Sequence, residues 1–361
     1  MATGEMAALL KKIQSVNKLV GTEMLEDSII FENVDPIVTP VPLINVALSG
    51  RLDGGLFPGT LMIAAESKRF KSVFGLMLAS AYLQQVPGSY LVFYDTERGT
   101  PKDYWQSVGI DPKRVVYKQP DNIERLNADM MHLINSLEPE HDGKLFILID
   151  SLGNLPSMHE TEVAAEGKGK VDMARSKVLK SLFRTTTLPI VQKRCYCVVI
   201  NHVYSQMSMY APVKVSGGGG PTYNSNDIWI IGKRVDSEGK GEEKVVHGNE
   251  FIINIEKSRI VRERSQFPIN VSYTEGIQRW SGLFDIAMYG EFINAATTKG
   301  WYTTDKIASR DGKKFHRADV EYDDAFWKEM VNREDFKAFM TDLFTLGNKP
   351  LISYDNVFNE N

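Results

Sequence analysis

The chain has 361 residues, of which 43% are hydrophobic and 24% charged, and its formal net charge is −4. These values are ordinary for a globular protein of two or three domains and exclude a chain that is basic throughout, although a local basic stripe is enough to bind nucleic acid. No apolar run is long enough to span a bilayer, and the N-terminus lacks the apolar segment of a signal peptide.

The first predicted element is an N-terminal helix with apolar residues at helical spacing. They are Met6, Leu9, Leu10, Ile13 and Val16. The proline-punctuated stretch from Asp35 to Pro42 predicts a linker. We therefore assign residues 1–42 to an N-terminal helical segment and linker.

From Leu43 to about Tyr273, predicted strands alternate with predicted helices. The strands are Leu61–Ala64, Tyr90–Tyr94, Val115–Tyr117, Leu145–Ile149, Cys197–Ile200, Ile228–Ile231 and Phe251–Ile255. The helices lie near Ser72–Gln85, Asn122–Leu137 and Val171–Leu188. Apolar strands joined by crossover helices predict an α/β fold with a mainly parallel central sheet over residues 43–283, and the last strands favour an antiparallel extension.

The sequence after Leu283 is helical in pattern and rich in aromatic residues. It predicts a small α-rich C-terminal domain over residues 284–361. Acidic residues outnumber basic ones from Ala318 onward, whereas the stretch from Lys168 to Arg194 is basic.

The two cysteines, Cys195 and Cys197, lie in a predicted strand. Their setting predicts reduced, buried thiols in a cytoplasmic protein. A metal pair is not favoured, because the sequence has no second Cys or His cluster to complete a site.

A phosphate-binding loop is indicated where the strand Leu61–Ala64 runs into a Lys-Ser pair and a helix. The loop comprises Glu66, Ser67, Lys68, Arg69, Phe70, Lys71, Ser72 and Val73. This order matches the P-loop G-x-x-x-x-G-K-[ST], except that Ala65 and Phe70 replace the two glycines. In that interpretation Lys71 neutralises the β/γ-phosphates of ATP and Ser72 holds Mg²⁺. The alternative is a chance Lys-Ser pair after a strand.

The missing glycines make a prediction about the backbone. Glycine supplies unusual φ/ψ angles and close approach in such loops. If Phe70 adopts a positive φ, it carries strain of about 1–3 kcal/mol. If it does not, the loop follows a different path from the standard one.

Two carboxylates follow other predicted strands. Asp150 ends the apolar run Leu145–Ile149, which predicts a second Mg²⁺ ligand, although an Asp capping a helix is the alternative. Asp95 and Glu97 follow Tyr90–Tyr94, where a carboxylate could polarise a water that attacks the γ-phosphate. The carboxyl ends of strands in open α/β sheets are where ligands bind.

These motifs, together with the stretch Ala47–Gly59 that leads into the loop, resemble the RecA family. Within it the chain is most similar to the UvsX-type recombinases of T4-type bacteriophages. The similar stretches are Ser67-Lys68, Phe70-Lys71-Ser72, Tyr94–Glu97, Ile149–Leu155, Lys180–Arg184, Ile200-Asn201-His202 and Glu256–Arg259. The resemblance covers most of the chain in order and weakens beyond about Gly300. It implies a RecA-like core.

The resemblance also implies roles for single residues. Glu97, rather than Asp95, would be the general base, and Tyr104 would stack on adenine, with a core tyrosine as an equal alternative. His202 would sense the γ-phosphate, unless it is an ordinary core histidine. Lys257 and Arg259 would supply cations to the ATP of the neighbouring subunit, whereas the residues alone would indicate plain surface charges.

Two DNA-binding segments are implied, after Asp150 and after His202. Their candidate phosphate contacts are Lys168, Lys170, Arg175, Lys177, Lys214, Gly217, Gly218 and Gly219. The glycine run is flexible enough for a loop that orders on binding. Some of the helix charges would be ordinary solvated surface.

The function implied is an ATP-dependent DNA strand-exchange recombinase that forms helical filaments on single-stranded DNA. Its partners would be single- and double-stranded DNA, further copies of itself joined through the N-terminal helix, a single-strand-binding protein and a recombination mediator, with no membrane. The apolar stripe of that helix fits packing within one chain equally well. Its location would be the cytoplasm of an infected bacterium. The alternatives are a hexameric helicase-like motor on the same core and a small-molecule P-loop kinase.

Overall fold

The computed structural model of the chain describes residues 2–16, 34–97, 99, 102–166, 174–204, 214–217, 219–238 and 245–346. By its contacts the chain divides into two compact units, Met1–Asp35 and Pro36–Asn361. The first contains helix α1 (Ala2–Val16), as the apolar spacing predicts. Its apolar side chains are exposed at Met6, Leu9, Ile13 and Val16.

The second unit is built on a large mixed sheet. Its strands are β1 (Gly59–Ala65), β2 (Tyr90–Asp95), β3 (Val115–Lys118), β4 (Leu145–Asp150), β5 (Tyr196–Tyr204), β6 (Lys214–Val215), β7 (Asp227–Glu238), β8 (Val245–Lys257), β9 (Gln266–Ser272) and β10 (Gly276–Ile277). The order is β10-β9-β8-β7-β1-β5-β4-β2-β3, with β6 paired to β5. The pairs from β7 to β3 are parallel, and those from β7 to β10 are antiparallel. The predicted α/β fold with an antiparallel extension is confirmed.

Helices cover both faces of this sheet. They are α2 (Pro42–Ser49), α3 (Lys71–Gln85), α4 (Lys102–Ser107), α5 (Ile123–Asn135), α6 (Met158–Ala165), α7 (Ala174–Gln192) and α8 (Gly219–Asn224). Local sequence accounts for several starts: Pro42 opens α2, the Asn122 side chain caps α5, and Ser157 forms a capping box with Glu160.

Two apolar cores follow from the alternation of side chains along the strands. In β4, Phe146 and Leu148 join the core with α3, whereas Ile147 and Ile149 join the core with α5 and α7. Strands that are buried on both faces need continuous apolar runs, and such runs mark the positions of these strands in the sequence. Both cysteines are free and buried in the second core.

The C-terminal part of the unit is small and aromatic. It contains α9 (Leu283–Tyr289), β11 (Asn294–Ala295), β12 (Trp301–Thr303), β13 (Phe315–His316), α10 (Arg317–Val320), α11 (Asp324–Val331) and α12 (Glu334–Phe344). The three strands form a separate sheet. The indole of Trp280 donates a hydrogen bond of 2.8 Å to Asp324, and Arg262 donates to carbonyls at the end of α12. The division at residues 42 and 283 stays a prediction.

In the part of the chain that the structure describes, no helix has the length and apolar character needed to cross a membrane.

Candidate nucleotide site

The carboxyl ends of four parallel strands bring the predicted nucleotide residues to one edge of the sheet. Ala65 at the end of β1 is in register with His202 of β5, and Asp95 at the end of β2 is in register with Asp150 of β4. The loops that leave these strands therefore emerge side by side, as expected for a ligand site in an α/β sheet.

The candidate phosphate loop runs from the end of β1 into the first turn of α3. The Lys71 side chain is buried, and its ammonium donates hydrogen bonds to the carbonyls of Ala65 (3.1 Å) and Glu66 (2.7 Å). Burial lowers the pKa of Lys71, while the carboxylates of Glu97, Asp150 and Glu66 oppose that shift. The N-terminus of a helix with a buried ammonium beside it suits the phosphates of a nucleotide.

The backbone answers the question raised by the missing glycines. Phe70 lies in the left-handed region, with φ 65° and ψ 14°, and Lys68 has φ 59°. A residue with a Cβ in that region carries strain of about 1–3 kcal/mol. Ala65, by contrast, is the last residue of the extended strand β1 and needs no glycine. Of the two positions where the standard loop has glycine, only Phe70 therefore keeps a glycine-like turn.

Ser72 and Asp150 form the candidate magnesium site. Ser72 lies in the first turn of α3, and the Asp150 carboxylate at the end of β4 is 7% exposed. The pKa of Asp150 is raised to about 6, chiefly by burial and also by the charges of Glu97 and Asp95, whereas hydrogen bonding from Ser72 and the charge of Lys71 oppose the shift. A buried carboxylate among other carboxylates, next to a hydroxyl, is an all-oxygen donor set that fits Mg²⁺.

Glu97 is the centre of a side-chain cluster at the ends of β2, β4 and β5. Its Oε1 accepts hydrogen bonds from Ser151 (2.7 Å) and Asn154 (2.9 Å), and the His202 Nε2 lies 3.3 Å away. The same His202 nitrogen is 3.3 Å from the Ser151 hydroxyl. The cluster fixes one carboxylate oxygen by three neighbours and links the predicted base to the predicted phosphate sensor.

Asp95 has a different environment from Glu97. It is buried, and its two oxygens accept from the Glu97 backbone N–H and the Tyr117 hydroxyl, each at 2.9 Å. Thr96 and Ser151 exchange hydrogen bonds of 2.8 and 3.0 Å, which tie the end of β2 to the end of β4. Asp95 thus shapes the turn that presents Glu97, which favours Glu97 as the reactive carboxylate.

Gly153 allows His202 to come close. A Cβ at Gly153 would lie 2.4 Å from the His202 ring. The His202 N–H is held by the side chain of Asn201, and the Asn201 amide in turn donates to the Ser216 carbonyl at 3.0 Å. The strand end that carries the predicted sensor is therefore connected to the segment that follows β6.

The two predicted trans cations differ in their surroundings. The Lys257 ammonium donates to the carbonyls of Thr222 (3.0 Å), Tyr223 (3.0 Å) and Ser225 (2.7 Å), at the C-terminal end of α8. Arg259 is exposed and lines a cleft of about 530 Å³ between the core and α12. Lys257 is therefore held within its own subunit, whereas Arg259 faces outward.

A second cleft, of about 710 Å³, adjoins the loop and the first turns of α3. Its lining includes Phe70, Val73, Met77, Val108 and Ile277. This cleft is large enough for a nucleoside base and lies beside α4, the helix that contains Tyr104. The Tyr104 side chain lies outside the described residues.

The residues of the predicted DNA segments are only partly described. Lys168, Lys170, Gly218 and the side chain of Lys214 lie outside the described residues. Lys177 is exposed on α7.

Arg175, the other predicted phosphate contact on α7, is engaged within the protein. Its guanidinium donates to the carbonyls of Leu155 (2.9 Å), Gly153 (2.9 Å) and Leu152 (3.2 Å). This arrangement favours a structural role that holds the segment after β4, and the predicted phosphate contact by Arg175 stays a prediction.

Part of the predicted glycine-rich segment has regular structure in the described residues. Lys214 lies in β6, and Gly219 begins α8, which packs against α7. Gly217 has φ 95°, and a Cβ there would lie 2.7 Å from Leu179 of α7. In the described residues this glycine therefore serves a turn and a close approach rather than an open loop.

Sequence reasoning gave no role to Ser151, Asn154 or Gly153, which complete the Glu97 cluster. The available signal was their place directly after Asp150, where small and polar residues follow a buried strand. It also missed Asp227 at the start of β7: burial raises the pKa of this carboxylate, while hydrogen bonding from Ser258 and the charges of Lys257 and Arg259 oppose the shift.

Comparisons with known proteins agree with this geometry. The RecA N-terminal domain family matches residues 13–278, and the family of the C-terminal domain of the bacteriophage T4 recombination and repair protein matches residues 280–340. The chain is 37% identical to the recombination and repair protein of Enterobacteria phage T4 over 338 residues, covering 92% of this chain and 84% of that protein.

Cellular relatives are more distant. The identity to protein RecA of Streptomyces ambofaciens is 24% over 276 residues, covering 76% of this chain and 71% of the relative. The identity to protein RecA of Cytophaga hutchinsonii is 26% over 282 residues, covering 74% of each. The resemblance predicted from the motifs is confirmed, and the chain belongs to the RecA family, in the branch that includes the phage T4 recombination and repair protein.

Proposed function

We propose that this chain is an ATP-dependent DNA strand-exchange recombinase that assembles as a helical filament on single-stranded DNA and hydrolyses ATP between subunits. The observation that carries the proposal is the convergence of Lys71, the Ser72–Asp150 pair and the Glu97–His202 cluster at one sheet edge. Membership of the RecA family supplies the class of reaction.

The residues of the site have different roles at the phosphates. The helix α3 N-terminus and Lys71 would bind and orient the β/γ-phosphates, and Ser72 with Asp150 would hold Mg²⁺, which would neutralise phosphate charge. Ser151 and Asn154 hold one oxygen of Glu97, so that the carboxylate can orient a water and accept its proton. His202 contacts the same oxygen and would report a change at the γ-phosphate to the segment after β5.

The cation on the neighbouring subunit completes the site. Arg259 is exposed, and a guanidinium supplied from another subunit stabilises negative charge on the transferring phosphoryl group. Hydrolysis would then depend on assembly. Strand exchange itself needs no covalent chemistry, because base pairing tests homology while the protein holds the strands.

The test has two steps. ATP hydrolysis is measured with and without single-stranded DNA, and the same protein is then assayed for strand exchange between a single strand and a homologous duplex. We expect hydrolysis to require the single strand and exchange to require ATP. Hydrolysis that is indifferent to DNA would instead indicate a small-molecule kinase and would overturn the proposal.

A hexameric motor would share the same sheet edge. Electron microscopy with single-stranded DNA and a non-hydrolysable ATP analogue separates the two, because a recombinase forms helical filaments and a helicase forms closed rings. The similarity to the phage T4 recombination and repair protein favours the filament.

The proposal extends to partners and location. The N-terminal helix α1 would join successive subunits, and a single-strand-binding protein and a mediator would regulate loading. The site of action would be the cytoplasm of an infected bacterium.

A further inference from the structure

The phosphate loop is packed against β8 through an aromatic stack. The ring of Phe70 lies parallel to that of Phe251, with centroids 4.8 Å apart and an interplanar angle of 15°. The Phe74 ring meets Phe70 edge-on at 5.9 Å and Phe251 edge-on at 6.4 Å. Phe251 is 2% exposed. We call these three residues the aromatic clamp.

The same strand pair holds the loop at a second point. Arg69, the residue before Phe70, donates from Nη1 to the carbonyl of Lys233 at 3.3 Å. Lys233 of β7 is the register partner of Phe251, and its ammonium lies 5.8 Å from the centroid of the Phe251 ring. Two consecutive loop residues are therefore fixed to one cross-strand pair.

The clamp acts where the loop needs unusual backbone angles. Phe70 directly precedes Lys71 and adopts φ 65°, a conformation that a residue with a Cβ leaves unless its surroundings hold it. A change of Phe70 to ordinary angles would redirect the adjoining peptide groups and displace the start of α3. Phe70, unlike glycine, has a side chain through which packing can hold this backbone conformation.

We propose that Phe251 is a positioning residue for the phosphate loop: its ring holds Phe70 in the left-handed conformation, so that the aromatic clamp replaces the loop's missing second glycine. The proposal rests on the proposed role of this loop in binding ATP. The competing explanation is that Phe251 only fills the core.

The first measurement is the affinity for a fluorescent ATP analogue with Mg²⁺ and without DNA, followed by KM and kcat for ATP with single-stranded DNA. Phe251→Leu removes the ring and keeps an apolar side chain. We expect the Kd and KM to rise about 3- to 10-fold, the effect of losing one aromatic pair, with kcat changed less than about twofold.

The matched control is Phe267→Leu. Phe267 is equally buried, lies on the neighbouring strand β9 and packs against Phe344 at 4.8 Å, away from the loop. We expect Phe267→Leu to lower the melting temperature as Phe251→Leu does, but to leave the Kd for the ATP analogue unchanged. Phe251→Met, whose unbranched side chain adapts to the same space, repeats the measurement if Phe251→Leu folds poorly.

The decisive experiment adds Phe70→Gly. Glycine adopts a positive φ without support, so Phe251→Leu should change the Kd by less than about twofold in the Phe70→Gly background. An equal change in both backgrounds, or equal effects of Phe251→Leu and Phe267→Leu, would show core filling and overturn the clamp while the proposed function stands. A wild-type protein that binds no ATP analogue would overturn both.

Discussion

The parallel and antiparallel halves of the sheet present their polar groups in different ways. At the ends of β2, β4 and β5, Glu97, Ser151 and His202 hold one another within a single subunit. At the end of the antiparallel strand β8, Lys257 is turned back onto α8 and Arg259 is exposed. In the proposed function, the first half is the reaction site of its own subunit and the second supplies a cation to the neighbouring subunit. A site divided in this way would make hydrolysis depend on assembly.

The largest expected effect is in the parallel half. Lys71→Ala removes the ammonium that lies against the loop, and we expect ATP affinity to fall at least about a hundredfold, with loss of ATP-dependent binding to single-stranded DNA. Nucleotide titration and fluorescence anisotropy of labelled DNA measure the two effects. Lys314→Ala, an exposed lysine in the C-terminal part, is the control. Filaments that still form in response to ATP would refute the loop assignment.

Arg259→Ala tests the antiparallel half. We expect kcat to fall about a thousandfold with ATP binding kept, because the cation acts on the transition state. Mixing it one-to-one with Glu97→Gln should restore hydrolysis at about a quarter of the sites, those that pair an intact Glu97 with a neighbour's intact Arg259. A mixture as inactive as its components would place Arg259 in its own subunit's site and remove the contrast between the two halves.

The single variant Glu97→Gln tests whether Glu97, in the parallel half, is the general base. Glutamine keeps an oxygen for Ser151 and Asn154 but cannot accept a proton, so kcat should fall about a hundredfold or more while ATP affinity stays within about threefold. Single-turnover hydrolysis and nucleotide titration separate the two quantities. Glu138→Gln, an exposed change remote from the cluster, serves as the control. Turnover at the wild-type rate would mean that another group is the base.

The smallest effect concerns stability and pH. The pKa of Asp150 is raised from 3.8 to about 6 in the folded protein, so its favourable contribution is complete below about pH 4 and is lost as the pH rises through 6. Asp150→Asn should therefore stabilise the protein without nucleotide or Mg²⁺ at pH 7.5, by about 1–3 kcal/mol, and have little effect at pH 4.

Thermal unfolding across this pH range measures the difference in stability between Asp150→Asn and the wild-type protein. The exposed change Asp311→Asn is the control. A stability difference that does not vary with pH would show that ionisation of Asp150 is not its cause.

The sequence predicted the parallel half better than the antiparallel half, for physical reasons. Buried parallel strands need apolar runs, and Asp150 and Glu97 follow such runs directly, so strand, edge and residue type coincide. The partners of Lys257, Arg175 and Phe70 are carbonyls or rings that lie far away in the chain. No local sequence pattern predicts these contacts, because they form only when α8, β8 and the segment that follows β4 have packed. The positions of Gly217 and Gly219 likewise depend on the packing of this part of the chain and of α8 against α7.

Strand β8 carries Phe251 near its middle and ends at Lys257. An extended strand rises about 3.3 Å per residue and hardly stretches, so these two positions are held about 20 Å apart. One of them touches the loop of the subunit's own nucleotide site, and the other lies next to the arginine that faces outward. A single strand thus runs, within one subunit, from the ring that holds the phosphate loop to the residues that precede Arg259, and its pairing with β7 is irregular only near Lys257 in this stretch.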